Sequence, residues 1–194
     1  MRVDHAVPGD EDAIAALCAE LDEFYGDAPE GTPAGRAAQV SAALFADPPL
    51  ARVLLARDEG ALAGFASYSF LWPAAGLTAS LYLKELYVAQ AYRRAGVGQM
   101  LMQGLYRIAA DRGCSRVEWT TDHDNPGAQA FYASLGVKPR TSKIFYRAGG
   151  EDLEGSTRPV ALPAHVPNTG DARQALDQAG IGLSAARRRA EAAR

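Results

Sequence analysis

Leu83-Lys84-Glu85-Leu86-Tyr87-Val88-Ala89-Gln90-Ala91-Tyr92-Arg93-Arg94-Ala95-Gly96-Val97-Gly98-Gln99-Met100-Leu101-Met102 reads as an apolar strand, a basic turn and the opening of a helix. The turn has the order Arg93-x-x-Gly96-x-Gly98. Glycine at these positions leaves room for a ligand to approach the backbone. The first N–H groups of a helix have no internal partners and lie at the positive end of its dipole, a seat suited to phosphate. Met100, Leu101, Leu105, Ile108 and Ala109 then form a core-facing stripe. The order is neither that of a Walker loop, since no Gly-Lys-Ser/Thr follows, nor G-x-G-x-x-G. On its own it is also compatible with a plain tight strand-to-helix turn.

A second segment, Asn125-Pro126-Gly127-Ala128-Gln129-Ala130-Phe131-Tyr132-Ala133-Ser134-Leu135-Gly136-Val137, lies downstream. Together the two resemble the acetyl-CoA-binding motif of the GNAT N-acetyltransferase superfamily, Gln/Arg-x-x-Gly-x-Gly/Ala, and the Asn-x-x-Ala-x-x-Phe-Tyr-x-x-x-Gly segment that follows it. The resemblance runs over residues 2–147, closest in pattern to the diamine and polyamine acetyltransferase branch.

The rest of the chain reads consistently. Arg2–Ala6 predicts a strand, and Asp10 is placed to cap a helix carrying Ile14, Leu17, Cys18 and Leu21. Residues 27–35 read as a loop, 36–46 as a second helix stopped by Asp47-Pro48-Pro49. A three-strand meander follows over 51–57, 61–71 and 79–88, with a hairpin turn at Asp58-Glu59-Gly60. After the glycine turn come a helix to Gly113, a strand over 116–121, a helix opened by Pro126 and a last strand over 143–147. The order β-α-α-β-β-β-α-β-α-β predicts an α/β fold with a mixed central sheet and helices on both faces. The resemblance implies the same topology, with the sheet splayed. Residues 1–148 are read as the acetyltransferase domain. Residues 149–194 are read as an extension, partly irregular, with a possible short helix and Arg187-Arg188-Arg189 as a solvated face.

Composition bounds the function. The chain has 194 residues, 48% apolar, with net charge −3, which argues against general affinity for nucleic acid or anionic membrane. No run is long and apolar enough to span a bilayer and no signal-peptide pattern opens the chain, so the cytoplasm is the expected compartment. Cys18 and Cys114 lack CxxC spacing, and His5, His123 and His165 lack metal-ligand spacing; no metal is expected.

The resemblance implies an acetyl-CoA-dependent transfer to a primary amine, with acetyl-CoA as co-substrate. It implies that Leu86, Tyr87 and Val88 pair through their backbone with the pantetheine arm, a backbone N–H there holding the acetyl carbonyl. Arg93, Arg94, Ala95, Gly96, Val97, Gly98 and Gln99 would receive the pyrophosphate, only one of the arginines closely. Asn125 would contact the pantetheine arm, cap its helix, or both. Tyr132 would protonate the departing thiolate, as a phenol with an ordinary pKa of about 10 can; the alternative is packing beside Phe131. Where the polyamine branch carries Tyr-Leu-Glu-Asp, this chain has Tyr82-Leu83-Lys84-Glu85, so its first carboxylate is a lysine. Glu85 remains, and strand alternation would turn it to the opposite face from position 84. Tyr25 and Glu85 are candidate acceptor contacts, within an acidic α1–α2 region of Glu20, Asp22, Glu23, Asp27 and Glu30. A small-molecule amine is the expected acceptor, a homodimer is compatible with the extension, and a non-catalytic acyl-CoA-binding module or a protein-amine acetyltransferase are the alternatives.

Overall fold

The apolar stripes of the sequence are joined in a computed structural model that describes residues 1–149. Met1–Pro139 forms one compact unit and a second begins at Arg140. The first runs β1 (Arg2–His5), α1 (Glu11–Tyr25), α2 (Pro33–Leu44), β2 (Arg52–Asp58), β3 (Ala61–Leu71), β4 (Ser80–Val88), α3 (Val97–Asp111), β5 (Arg116–Glu118) and α4 (Pro126–Ser134). The five strands stand in chain order, antiparallel except for β4 and β5.

Two apolar layers sandwich the sheet. On one face Leu54, Ala56, Tyr68, Leu81 and Leu83 meet Val97, Leu101, Met102 and Leu105 of α3. On the other, Val53, Leu55, Phe65 and Tyr87 meet Ile14 and Leu17 of α1. Each layer buries apolar surface at about 25 cal/mol per Å², which fixes the sheet between its helices.

Local details depart from the expected boundaries. The loop expected over 27–35 ends early, because Thr32 caps α2 by accepting a hydrogen bond from Gly35 N at 3.1 Å and Pro33 takes the first helical position. Asp10 stands at the start of α1 but in αR geometry, with no side-chain cap bond. Its carboxylate instead accepts from Val7 N at 2.8 Å and from Arg57 Nη2 at 2.7 Å. Arg57 also donates to Asp4 at 2.8 Å, so one guanidinium ties β1 and the start of α1 to β2. β5 stops at Glu118, three residues short of the expected end. The strand expected over 143–147 is not formed; Ile144, Phe145 and Tyr146 are 77%, 61% and 84% exposed. Their residue types favour a strand, but a strand needs a ladder partner, and none pairs with them among the described residues. The expectations for the extension from residue 150 lie outside the described residues.

The Asp10–Arg57 pair predicts a pH signature. Arg57 holds the Asp10 carboxyl below its usual range. A depressed folded-state pKa stabilises above the unfolded value of about 3.9 and loses that contribution as pH falls through the folded value. Asp10→Asn should therefore cost about 1–3 kcal/mol at neutral pH, and denaturant titrations should show the gap from wild type closing below about pH 4.

Candidate active site

Strand β4 carries one more residue than its neighbour can pair. Ser67 stands opposite Glu85 and Tyr68 opposite Leu83, so Lys84 has no partner on β3. Such a bulge shifts the alternation of side chains by one. Leu81 and Leu83 face α3 before it, and Leu86 and Val88 face α3 after it. Tyr87 turns to the α1 side, where its hydroxyl donates to Glu20 Oε2 at 3.2 Å. The expectation that positions 84 and 85 point to opposite faces is thereby corrected: Lys84 Nζ lies 3.0 Å from Glu85 Oε1.

On its other side β4 pairs with β5 only through Ser80–Tyr82. Beyond Tyr82 that edge of β4 has no strand beside it among the described residues. Leu86, Tyr87 and Val88 thus lie on an open strand edge that leads into the glycine turn.

The turn itself is built for its shape. Gly96 has φ +80° and opens α3 with no side-chain cap; a side chain there would be strained even though the space is open. The first intrahelical bond is Met100 N to Gly96 O at 3.0 Å, so the N–H groups of Val97, Gly98 and Gln99 precede the helical ladder. Val97 is buried and anchors the turn, whereas Ala95 and Gln99 are exposed. Arg93 donates from Nε to Val88 O at 3.2 Å and lies over the rings of Phe24 at 4.9 Å and Tyr87 at 5.8 Å, bracing the turn against the end of α1. Arg94 stands at φ +64° and, like Arg93, is exposed. Spacing alone could not foretell how Arg93 is held, because it depends on where α1 ends.

Gly98 answers to a second constraint. A Cβ there would stand 3.1 Å from Phe131 Cζ, so the glycine lets α4 approach α3. Phe131 and Tyr132 both pack against the α3-side core, their rings 5.2 Å apart, and Tyr132 also meets Trp119 at 5.1 Å between ring centroids. Asn125 caps α4, its Oδ1 accepting from Ala128 N at 3.0 Å. Gln129 Nε2 donates to the carbonyls of Asp122 and His123 at 3.0 Å each, which braces the loop before the helix.

Burial pushes the Tyr132 phenol up to about 12, with Tyr25, Glu85 and Tyr106 adding to the shift. Tyr25, the last residue of α1, is also raised, chiefly by burial and then by Glu85 and Asp122. Electrostatic reach therefore links Tyr25, Glu85 and Tyr132, which the sequence scatters over three elements. Trp119, Asp122 and Tyr106 join this neighbourhood without a motif to announce them. A concavity of about 400 Å³, lined by His5, Arg52, Tyr68, Asp111 and Arg112 among others, lies at the far end of α3 and holds none of these residues. Among the described residues, no group of three or more His, Cys, Asp or Glu could hold a metal ion, and no helix is long and apolar enough to cross a membrane.

The model of the Acetyltransferase (GNAT) family matches residues 14–137. The chain belongs to that family. A D-amino-acid N-acetyltransferase of Saccharomyces cerevisiae is 33% identical over 93 residues, 48% of this chain and 56% of that protein. A mycothiol acetyltransferase of Actinosynnema mirum is 35% identical over 131 residues, 68% of this chain and 40% of that protein. The chain thus spans about half the length of these curated relatives. An integron cassette protein of V. cholerae superposes with TM-score 0.76 and 27% identity, over 81% of this chain and 98% of that one. An aminoglycoside N-acetyltransferase solved with CoA shares the fold at TM-score 0.60 and 20% identity, over 76% of this chain and 93% of that one.

The Gly98–Phe131 contact predicts a coupling. Gly98→Ala should destabilise by about 1–3 kcal/mol through overpacking, and Phe131→Leu in the same chain should recover part of the loss. Thermal melts of the double-mutant cycle would measure it; strict additivity would remove the contact as the cause.

Proposed function

We propose that this chain is an acetyl-CoA-dependent N-acetyltransferase acting on a primary amine of a small molecule, by direct attack within a ternary complex. The observation that carries this reading is the open β4 edge leading into an uncapped helix N-terminus, with the half-buried Tyr132 phenol in its neighbourhood. The two features fit the two halves of acetyl-CoA, a peptide-like arm and a pyrophosphate. The D-amino-acid N-acetyltransferase, and an L-ornithine N5-acetyltransferase of Arabidopsis thaliana that is 26% identical over 97 residues, half of this chain and 42% of that protein, support a small amine as the acceptor.

Acetyl-CoA supplies an activated acetyl thioester. The chain's own residues do the rest. The backbone of Leu86, Tyr87 and Val88 binds the pantetheine arm as an added strand would, and an N–H of this segment meets the negative charge that develops on the acetyl oxygen. The N–H groups of Val97, Gly98 and Gln99 seat the pyrophosphate, and Arg94 supplies the nearby charge. Asn125 has its Oδ1 committed to the cap, which leaves its side-chain N–H₂ to donate. In balance, the acceptor nitrogen gains the acetyl carbon, the carbon–sulfur bond breaks with its electron pair kept by sulfur, and one proton passes from nitrogen to sulfur.

Tyr132 is the proton donor to sulfur. With its pKa pushed up to about 12, the phenol keeps its proton throughout the neutral range. Its transfer to an ordinary thiolate, of pKa about 8.5, is uphill. Tyr132 therefore works as a hydrogen-bond donor that hands over its proton as charge builds on sulfur, while the acceptor's ammonium proton restores it. An alkaline limb in kcat between about pH 8 and 10 would belong to another group.

A panel of primary amines, assayed for acetyl-CoA-dependent thiol release, tests the reading. Turnover should appear with at least one small amine; CoA binding with no turnover on amines or peptides would make this a binding module instead. With an acceptor in hand, Tyr132→Phe should lower kcat by about 10²–10⁴-fold while KM and melting temperature change little. Near-wild-type kcat would return Tyr132 to packing alone.

A further inference from the structure

Lys84 is the extra residue of the β4 bulge, and it faces the same mouth as Glu85 rather than the opposite side of the sheet. Its ammonium lies 3.0 Å from Glu85 Oε1, with side-chain exposures of 64% for Lys84 and 34% for Glu85. Tyr25 borders both, and Asp122 lies within reach of Tyr25. At the bulge β4 thus presents a cation and an anion side by side. Lys84 stands two residues before Leu86, roughly 6–7 Å along the strand, and a lysine side chain on a flexible four-carbon stem covers that distance.

From this juxtaposition we infer that Lys84 reads a carboxylate on the acceptor, so that the amine acetylated here belongs to an amino-acid-like molecule rather than to a simple diamine. The inference rests on the N-acetyltransferase reading above. A diamine brings two cations. One becomes neutral to react; the other must compete with Lys84 for Glu85 and approaches a like charge as it does so. A diamino acid brings, besides the amine that reacts, one group of each sign, which can exchange with the Lys84–Glu85 pair without leaving either charge unmatched. Exclusion of the wrong acceptor by a like charge is a common route to specificity. Neither role requires Lys84 to touch the reacting atoms; it determines specificity.

The experiment compares matched acceptors that differ only in the carboxylate, ornithine with putrescine and lysine with cadaverine, for wild type, Lys84→Gln and Lys84→Glu. Wild type should favour the carboxylate-bearing partner by at least about ten-fold in kcat/KM, mostly through KM. Lys84→Gln should bring each pair toward parity, and Lys84→Glu should reverse the preference toward the diamine. Melting temperature and CoA affinity should stay at wild-type values, since position 84 is exposed. Equal or better use of diamines by wild type, or a carboxylate preference that survives in Lys84→Glu, would overturn the role of Lys84 while leaving the acetyltransferase reading intact. A wild-type protein that binds CoA and turns over none of the four nor any other amine would overturn both.

Discussion

One residue too many in β4 governs the geometry around it. Were Lys84 paired like its neighbours, Leu83 and Glu85 would share a face, and Leu86 and Val88 would turn away from α3. Tyr87 would lose both its place among Ile14, Leu17 and Phe65 and its bond to Glu20. The bulge shifts the alternation in the middle of a strand that both apolar layers need, so each half packs against the helix its own residues suit. It also bends the strand at the point where pairing to β5 has already ended. An open edge, a basic turn and a helix N-terminus follow in line because of that shift.

The electrostatics of the mouth follow from the same placement. Glu85 reaches Cys18 and Tyr25 of α1 and Tyr132 of α4. A carboxylate with that many neighbours would bind a cation of any kind if it stood alone. Lys84 stands 3.0 Å from it, so the strand presents both signs of charge at this point. Arg93 is held by Val88 O and by the Phe24 and Tyr87 rings, which braces one side of the turn.

Much of this could be read from the sequence where the signal is local. The shape of the glycine turn and the Asn125-Pro126 helix start depend on a few adjacent residues and stand as expected, and the α3 stripe holds at Leu101, Leu105, Ile108 and Ala109, while Met102 rather than Met100 enters the core. Errors came where a partner distant in sequence decides. No spacing tells that Tyr68 pairs with Leu83 while Ser67 pairs with Glu85, so the bulge and the shared face of Lys84 and Glu85 were not legible. Gly98 looked like room for a ligand, yet it is also room for Phe131, a residue 33 positions away. Asp10 looked like a helix cap because its type suits one, but Arg57 claims its carboxylate. Ile144, Phe145 and Tyr146 are strand-forming types that stand exposed instead. Thr32-Pro33 was the exception, a local cap signal overlooked within a stretch rich in glycine and proline.

Amide hydrogen exchange with and without acetyl-CoA is the most direct test of the open edge as the cofactor seat. Backbone amides within Leu86–Val88 and those of Val97, Gly98 and Gln99 should slow together on binding, while amides of the paired Ser80–Tyr82 segment, already in the ladder, should change little. Binding of acetyl-CoA that leaves both groups exchanging at their free rates would place the cofactor elsewhere and contradict the reading built on this edge.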